Sequence, residues 1–138
     1  MITDKQAMID AVSGWLTVRK MQDMTQKNIV WAFASGGYTS PEFRSLPYNL
    51  ALVFAYGVLD DVLRSLKDEG VISPKKSGLK AFMDASRTIL PWVDFDLVDK
   101  GREERNKLAH ELTVVPLNDC LKYTDAVGVE LKAWKIIP

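Results

Sequence analysis

Thiol and imidazole are nearly absent from this chain, which has one cysteine, Cys120, and one histidine, His110, in 138 residues. A lone cysteine cannot close an internal disulfide, and a zinc site needs more Cys and His than exist here. The expected compartment is therefore a reducing cytoplasm. Net charge is missing too, because 18 Lys and Arg balance 18 Asp and Glu. With no global pull toward nucleic acid or membrane, any anion binding has to come from a local patch. The longest apolar run, Leu50 to Leu59, is about half of the roughly 20 residues that span a bilayer, and reads as a buried helix. The opening stretch, Met1 to Asp10, is acidic and amphipathic and lacks the basic start and apolar run of a signal peptide. No internal repeat, dividing linker or long period-two alternation is present, which argues against repeat arrays and sheets alike.

What remains is 47% hydrophobic and 26% charged, enough to build a real core at a length typical of one domain. The expectation is a single all-α domain over residues 1–138, a compact bundle of four to five helices. Thr3 and Gln6 match a capping box at the start of a first helix. Ile9, Val12, Leu16, Met21 and Met24 then recur at helical spacing, followed by Ile29, Val30 and Phe33. Gly36-Gly37 and Pro41 end that helix, and the stretch up to Leu46 reads as a loop or a short helical excursion. Pro47 suits the first turn of a second helix running to about Glu69, with Gly70 as its stop. The apolar first half of that helix marks it as central. A turn at Ser73–Gly78 leads to a third helix over about 79–90, halted near Pro91. A fourth is expected over about 96–112 and a fifth over about 118–135. Long helices with short connections favour antiparallel neighbours.

The fourth helix concentrates the chemistry. Val98, Gly101, Leu108, Ala109 and Leu112 share its apolar face, and Arg105 falls inside that face. A guanidinium there needs a carboxylate, an anion or a wet interface, because an unpaired buried charge costs several kcal/mol or more. Asp60 and Asp61 of the second helix are candidates to hold it, or else begin the exposed half of that helix. Arg102, Asn106 and His110 follow at steps of four and form a polar stripe along the flank. By periodicity alone, the commoner meaning of such a stripe is a solvated face.

Arg105-Asn106-Lys107-Leu108-Ala109-His110 resembles the R-N-x-x-x-H form of the signature of HEPN domains. Its place late in a helical bundle, before one final helix and with Glu111 after the histidine, is similar as well. Leu97, Val98 and Arg102 fit the usual approach to the motif. The resemblance implies a metal-independent endoribonuclease, or a relative that kept the fold without the activity. It also implies a toxin, defence or RNA-processing role, with RNA as substrate. Such proteins often work as homodimers whose motif helices face each other, in some cases with an antitoxin or regulatory partner. By this analogy His110 transfers protons, Arg105 stabilises phosphoryl charge, and Asn106 orients His110 or binds phosphate. Lys107 is a further substrate contact. Arg102 is assigned an auxiliary phosphate contact from its place on the stripe alone. No cofactor or metal is called for. Members paired with nucleotidyltransferase antitoxins carry a tyrosine two residues after the histidine, where this chain has Leu112. The second expectation, from a different class, is a non-catalytic helical binding or dimerisation module with a structural Arg105.

Other candidates are weaker. Gly36-Gly37 lacks the G-K-[ST] continuation of a phosphate-binding loop. Lys75, Lys76 and Lys80 form a local basic cluster suited to an RNA backbone or simply to a solvated turn. Trp15, Trp31, Trp92 and Trp134 read chiefly as core, Met8, Met21 and Met24 as core or dimer surface, and Cys120 as a small buried residue.

Overall fold

A computed structural model describes residues 2–34 and 41–138 and, within them, the side chains other than those of residues 28–34 and 41–43. Five helices and no strand make up the described residues: α1 (Lys5–Ala34), α2 (Pro41–Asp68), α3 (Leu79–Ser86), α4 (Phe95–Glu111) and α5 (Leu117–Ala133). The all-α bundle expected from the sequence is what forms. The Gly36-Gly37 stop lies outside the described residues, as do the side chains of Ile29, Val30, Trp31 and Phe33.

α2 is the central element and packs against each of the other four helices. Tyr48, Leu52, Ala55, Leu59, Val62 and Leu66, spaced by three or four, are all buried along it. One contiguous core joins them to Trp15 and Val18 of α1, Phe82 and Met83 of α3, Val98 of α4, and Val127 and Leu131 of α5. The segment Arg44–Asp68 is long and apolar enough to cross a bilayer, yet more than half of its most apolar stretch is packed inside this bundle. Its apolar character is not all inward, since Leu50 and Phe54 stay exposed.

Several helix ends differ from the expectation, each for a local reason. α1 is capped by Asp4, whose carboxylate accepts the N–H groups of Gln6 and Ala7 at 2.8 and 3.3 Å. Thr3 is instead drawn outward: its N–H and hydroxyl both donate to Glu69 at the far end of α2. The capping box of Thr3 with Gln6 is therefore replaced by a tie between the two helices. α2 starts at Pro41, six residues before the expected Pro47, which lies inside the helix and is exposed. Gly70, at φ 78°, follows α2 as expected. α3 stops at Ser86 and not near Pro91, because the N–H groups of Ile89 and Leu90 both turn back to the Ser86 carbonyl. The Ser86 hydroxyl also bonds the Met83 carbonyl, competing with a continued helix.

Candidate functional site

α4 begins well anchored and ends outside the core. Asp94 caps it by accepting the Leu97 N–H at 3.1 Å. Immediately before the helix, the Glu130 carboxylate of α5, only 1% exposed, accepts the N–H groups of Val93 and Asp94 at 2.7–2.9 Å. A buried carboxylate at a helix N-terminus satisfies orphan donors and complements the helix dipole. Phe95, Val98 and Gly101 are buried, and no residue of α4 beyond Gly101 is.

Gly101 marks the closest approach to the core. A Cβ there would run into the Tyr56 hydroxyl and come within 2.8 Å of Tyr123 Cβ. The Tyr56 hydroxyl fills that space and donates to the Val98 carbonyl at 2.7 Å. Burial, with smaller effects of nearby charges, pushes the Tyr56 phenol well above its ordinary range, so it stays a neutral donor.

One turn later Arg105 lies over the same ring, its guanidinium carbon 6.0 Å from the Tyr56 centroid. The side chain is half-buried and its Nε is fully buried without a hydrogen-bond partner. Neither expected carboxylate reaches it. Asp60 bonds Arg64 at 2.8 Å, and Asp61 is exposed in a groove between α1 and α2. Among the described residues Arg105 forms no ion pair.

Arg102, by contrast, is occupied. Its side chain is 12% exposed and its Nε donates to Asp99 at 2.8 Å, while Lys80 of α3 meets the same carboxylate at 3.1 Å. Burial pushes the Asp99 carboxyl upward, but the bonds and charges of Arg102 and Lys80 outweigh it and hold the group below its ordinary value. Arg102, expected as an auxiliary phosphate contact, is thus engaged in an internal ion pair, and Lys80 of the basic cluster shares it. Lys107 is exposed and pairs with Glu104 at 3.2 Å.

Asn106 is half-buried and His110 exposed, and among the described residues neither side chain forms a hydrogen bond. They are neighbours one turn apart. Arg105 and His110 are separated by about 140° around the helix axis, so one copy of α4 cannot aim both at the same point. Leu108 is half-buried and Ala109 exposed, and the C-cap Leu112 is 84% exposed at φ 54°. A branched side chain in the left-handed region costs roughly 1–2 kcal/mol, and this one also gives its apolar surface to water. The inward apolar face expected for the whole helix therefore ends at Gly101.

Asn49 of α2 secures the far end. Its amide donates to the Val115 carbonyl and accepts the Val115 N–H, both at 2.8 Å. Asn49, Tyr56 and Glu130 escaped the sequence reading. Glu130 carried a signal, since it falls three after Val127 and four before Trp134, on the inward stripe of α5.

No family model, curated protein or solved structure matches the chain. Among the described residues, no group of three His, Cys, Asp or Glu is placed to hold a metal ion. Cys120 is buried, and burial pushes its thiol up to about 12, which suits a packing residue and not a nucleophile.

Proposed function

We propose that the protein is a metal-independent endoribonuclease of HEPN type, working in the cytoplasm as a homodimer with the active site shared between two α4 ends. One observation carries this reading. The last two turns of α4 leave the side chains of Arg105, Asn106 and His110 without protein hydrogen-bond or ion-pair partners among the described residues, beside an uncovered Leu112 on a left-handed backbone. A second copy packed there would cover Leu108 and Leu112 and bring the divergent Arg105 and His110 of two helices to one cleft.

In the proposed reaction a base removes the proton of a ribose 2′-hydroxyl, and the oxygen attacks the adjacent phosphorus. The bond from phosphorus to the 5′-oxygen breaks, and that oxygen receives a proton. The products are a 2′,3′-cyclic phosphate and a 5′-hydroxyl. Histidine suits either proton transfer near neutral pH, and Arg105 supplies fixed donors to the phosphoryl oxygens as charge builds. Asn106 orients the imidazole one turn away. Each chain brings one histidine, so the two transfers use both copies of His110, or one copy and a water. Arg102 acts through Asp99 and Lys80 by fixing α4 in place.

A specific observation favours the second reading, a non-catalytic dimerisation module. Lys100, Arg102, Arg105 and Lys107 along α4 are matched by Asp99, Glu103, Glu104 and Glu111, which leaves no basic track for RNA. The two readings separate on incubation of pure protein with an RNA and a DNA of the same sequence in EDTA. Cleavage of RNA alone is expected. RNA left intact across varied sequences and structures, by a protein that is dimeric, selects the binding module.

A further inference from the structure

The outward face of α2 is apolar beside the α4 tip. Leu46, Leu50 and Phe54 follow at steps of four, and each is about half exposed. Gly57, three residues on, continues the line, and a Cβ there would meet nothing within 4 Å. No charged residue occurs between Arg44 and Asp60. The stripe covers three helical turns, or roughly 17 Å. On one flank Val58 approaches Gly14 of α1. On the other, Asn49 holds Val115 and the Tyr56 ring lies under Arg105, so the last turns of α4 run beside the same stretch of α2.

Area and symmetry point to one occupant. Together with Leu112, which is 84% exposed and three residues before Val115, the stripe leaves roughly 500 Å² of apolar surface open, the scale at which exposed patches mark interaction sites. An interface of standard size takes about 800 Å² from each partner, a little over half of it apolar. Stripe and tip thus supply the apolar share of one such interface. The stripe is also self-complementary. Laid antiparallel on a second α2, Leu50 falls opposite Phe54 of the other copy, and Leu46 opposite the open space at Gly57. Around a two-fold axis this pairing keeps both α4 flanks on the same side, whereas a parallel pair sets them on opposite sides. The Arg105 side chains of the two copies then border one cleft. We propose that Leu46, Leu50, Phe54 and Gly57 of α2 form the dimer face of this protein, packed antiparallel on the same residues of a second copy. The choice of occupant rests on the shared-site reading above, and it assigns the main contact to α2 rather than to the α4 tips alone.

Sedimentation velocity on the full chain tests this, with thermal unfolding as the check on folding. The wild type is expected to dimerise as concentration rises. Leu50→Lys and Phe54→Lys change exposed positions, so their unfolding should stay cooperative. Each should weaken the dimer about 100-fold, because two-fold symmetry repeats every loss. Leu16→Lys, at an exposed leucine of α1 off the stripe, should leave the dimer unchanged. A wild type that stays monomeric, or that floats with phosphatidylcholine vesicles through this face, overturns the proposal. So does a dimer indifferent to Leu50→Lys and Phe54→Lys, or one broken by Leu16→Lys in their place. RNA cleavage is read on the same samples. A dimer broken by the stripe variants, in a protein whose wild type leaves RNA intact, supports the dimer face and contradicts the nuclease.

Discussion

Asn49, Tyr56 and Glu130 come from two helices and reach the backbone of a third region at both ends and in the middle of α4. Removing the Asn49 amide leaves the Val115 N–H buried and unpaired and its carbonyl with only the weak Cys120 thiol donor at 3.4 Å, so Asn49→Ala should cost about 2–4 kcal/mol in urea unfolding. Gly101→Ala forces a methyl group into Tyr56 and Tyr123 and should cost about 1–3 kcal/mol by the same measurement. Asp99 gives a pH dependence with a defined sign. Its carboxyl is held below its ordinary value in the folded chain, so its contribution is present above the unfolded value near 4 and is lost as pH falls through the folded value. Stability should fall below about pH 4, and Asp99→Asn should flatten part of that fall.

These anchors were the least legible part of the sequence. A polar residue in an apolar stripe signals that it needs a partner, but the partner is a backbone group distant in sequence. Asn49 and Val115 are 66 residues apart, and Glu130 and Val93 are 37. Arg105 shows the same limit. Its misfit in the apolar face was visible, but Asp60 and Asp61 suited it only by type, and Arg64 one turn away claims Asp60.

At the level of the element, the five helices follow from periodicity, because Tyr48 through Leu66 and Val127, Leu131 and Trp134 are spaced to line one face. Their ends followed less well. Thr3 and Asp4 are both good caps, and which one serves is decided by Glu69, a residue from the far end of α2 that takes Thr3 away. Where a helix leaves the core is likewise set by packing against neighbours distant in sequence, so the exposure of Ala109 to Leu112 had no counterpart in the pattern. This tip yields a prediction with two signs. Leu112→Gly relieves the left-handed backbone and should stabilise the isolated chain by about 1 kcal/mol. If a second copy covers the tip, the same change should weaken the dimer, seen as dissociation at higher protein concentration in sedimentation.

At the scale of the molecule, the balance of 18 acidic and 18 basic residues is unevenly distributed. Acid collects in the α1/α2 groove, while the α4 tip carries Arg105 without an ion pair among the described residues. On the proposed reading a monomer therefore offers RNA little electrostatic attraction, and substrate binding should be weak, with a shallow salt dependence set by the few phosphate contacts, assembling only when two α4 tips meet. Activity per chain should accordingly rise with protein concentration through the dimerisation range.

In the proposed reaction, metal-free RNA cleavage depends on proton transfer by His110. The measurement that tests it most directly compares the wild type with His110→Ala on one RNA in EDTA, with end-group analysis of the products. Fragments ending in 2′,3′-cyclic phosphate are expected from the wild type, with a loss of at least about 100-fold in the variant, the scale of removing a general acid or base. Cleavage by the variant at the wild-type rate, or products bearing 3′-hydroxyl ends, would contradict it.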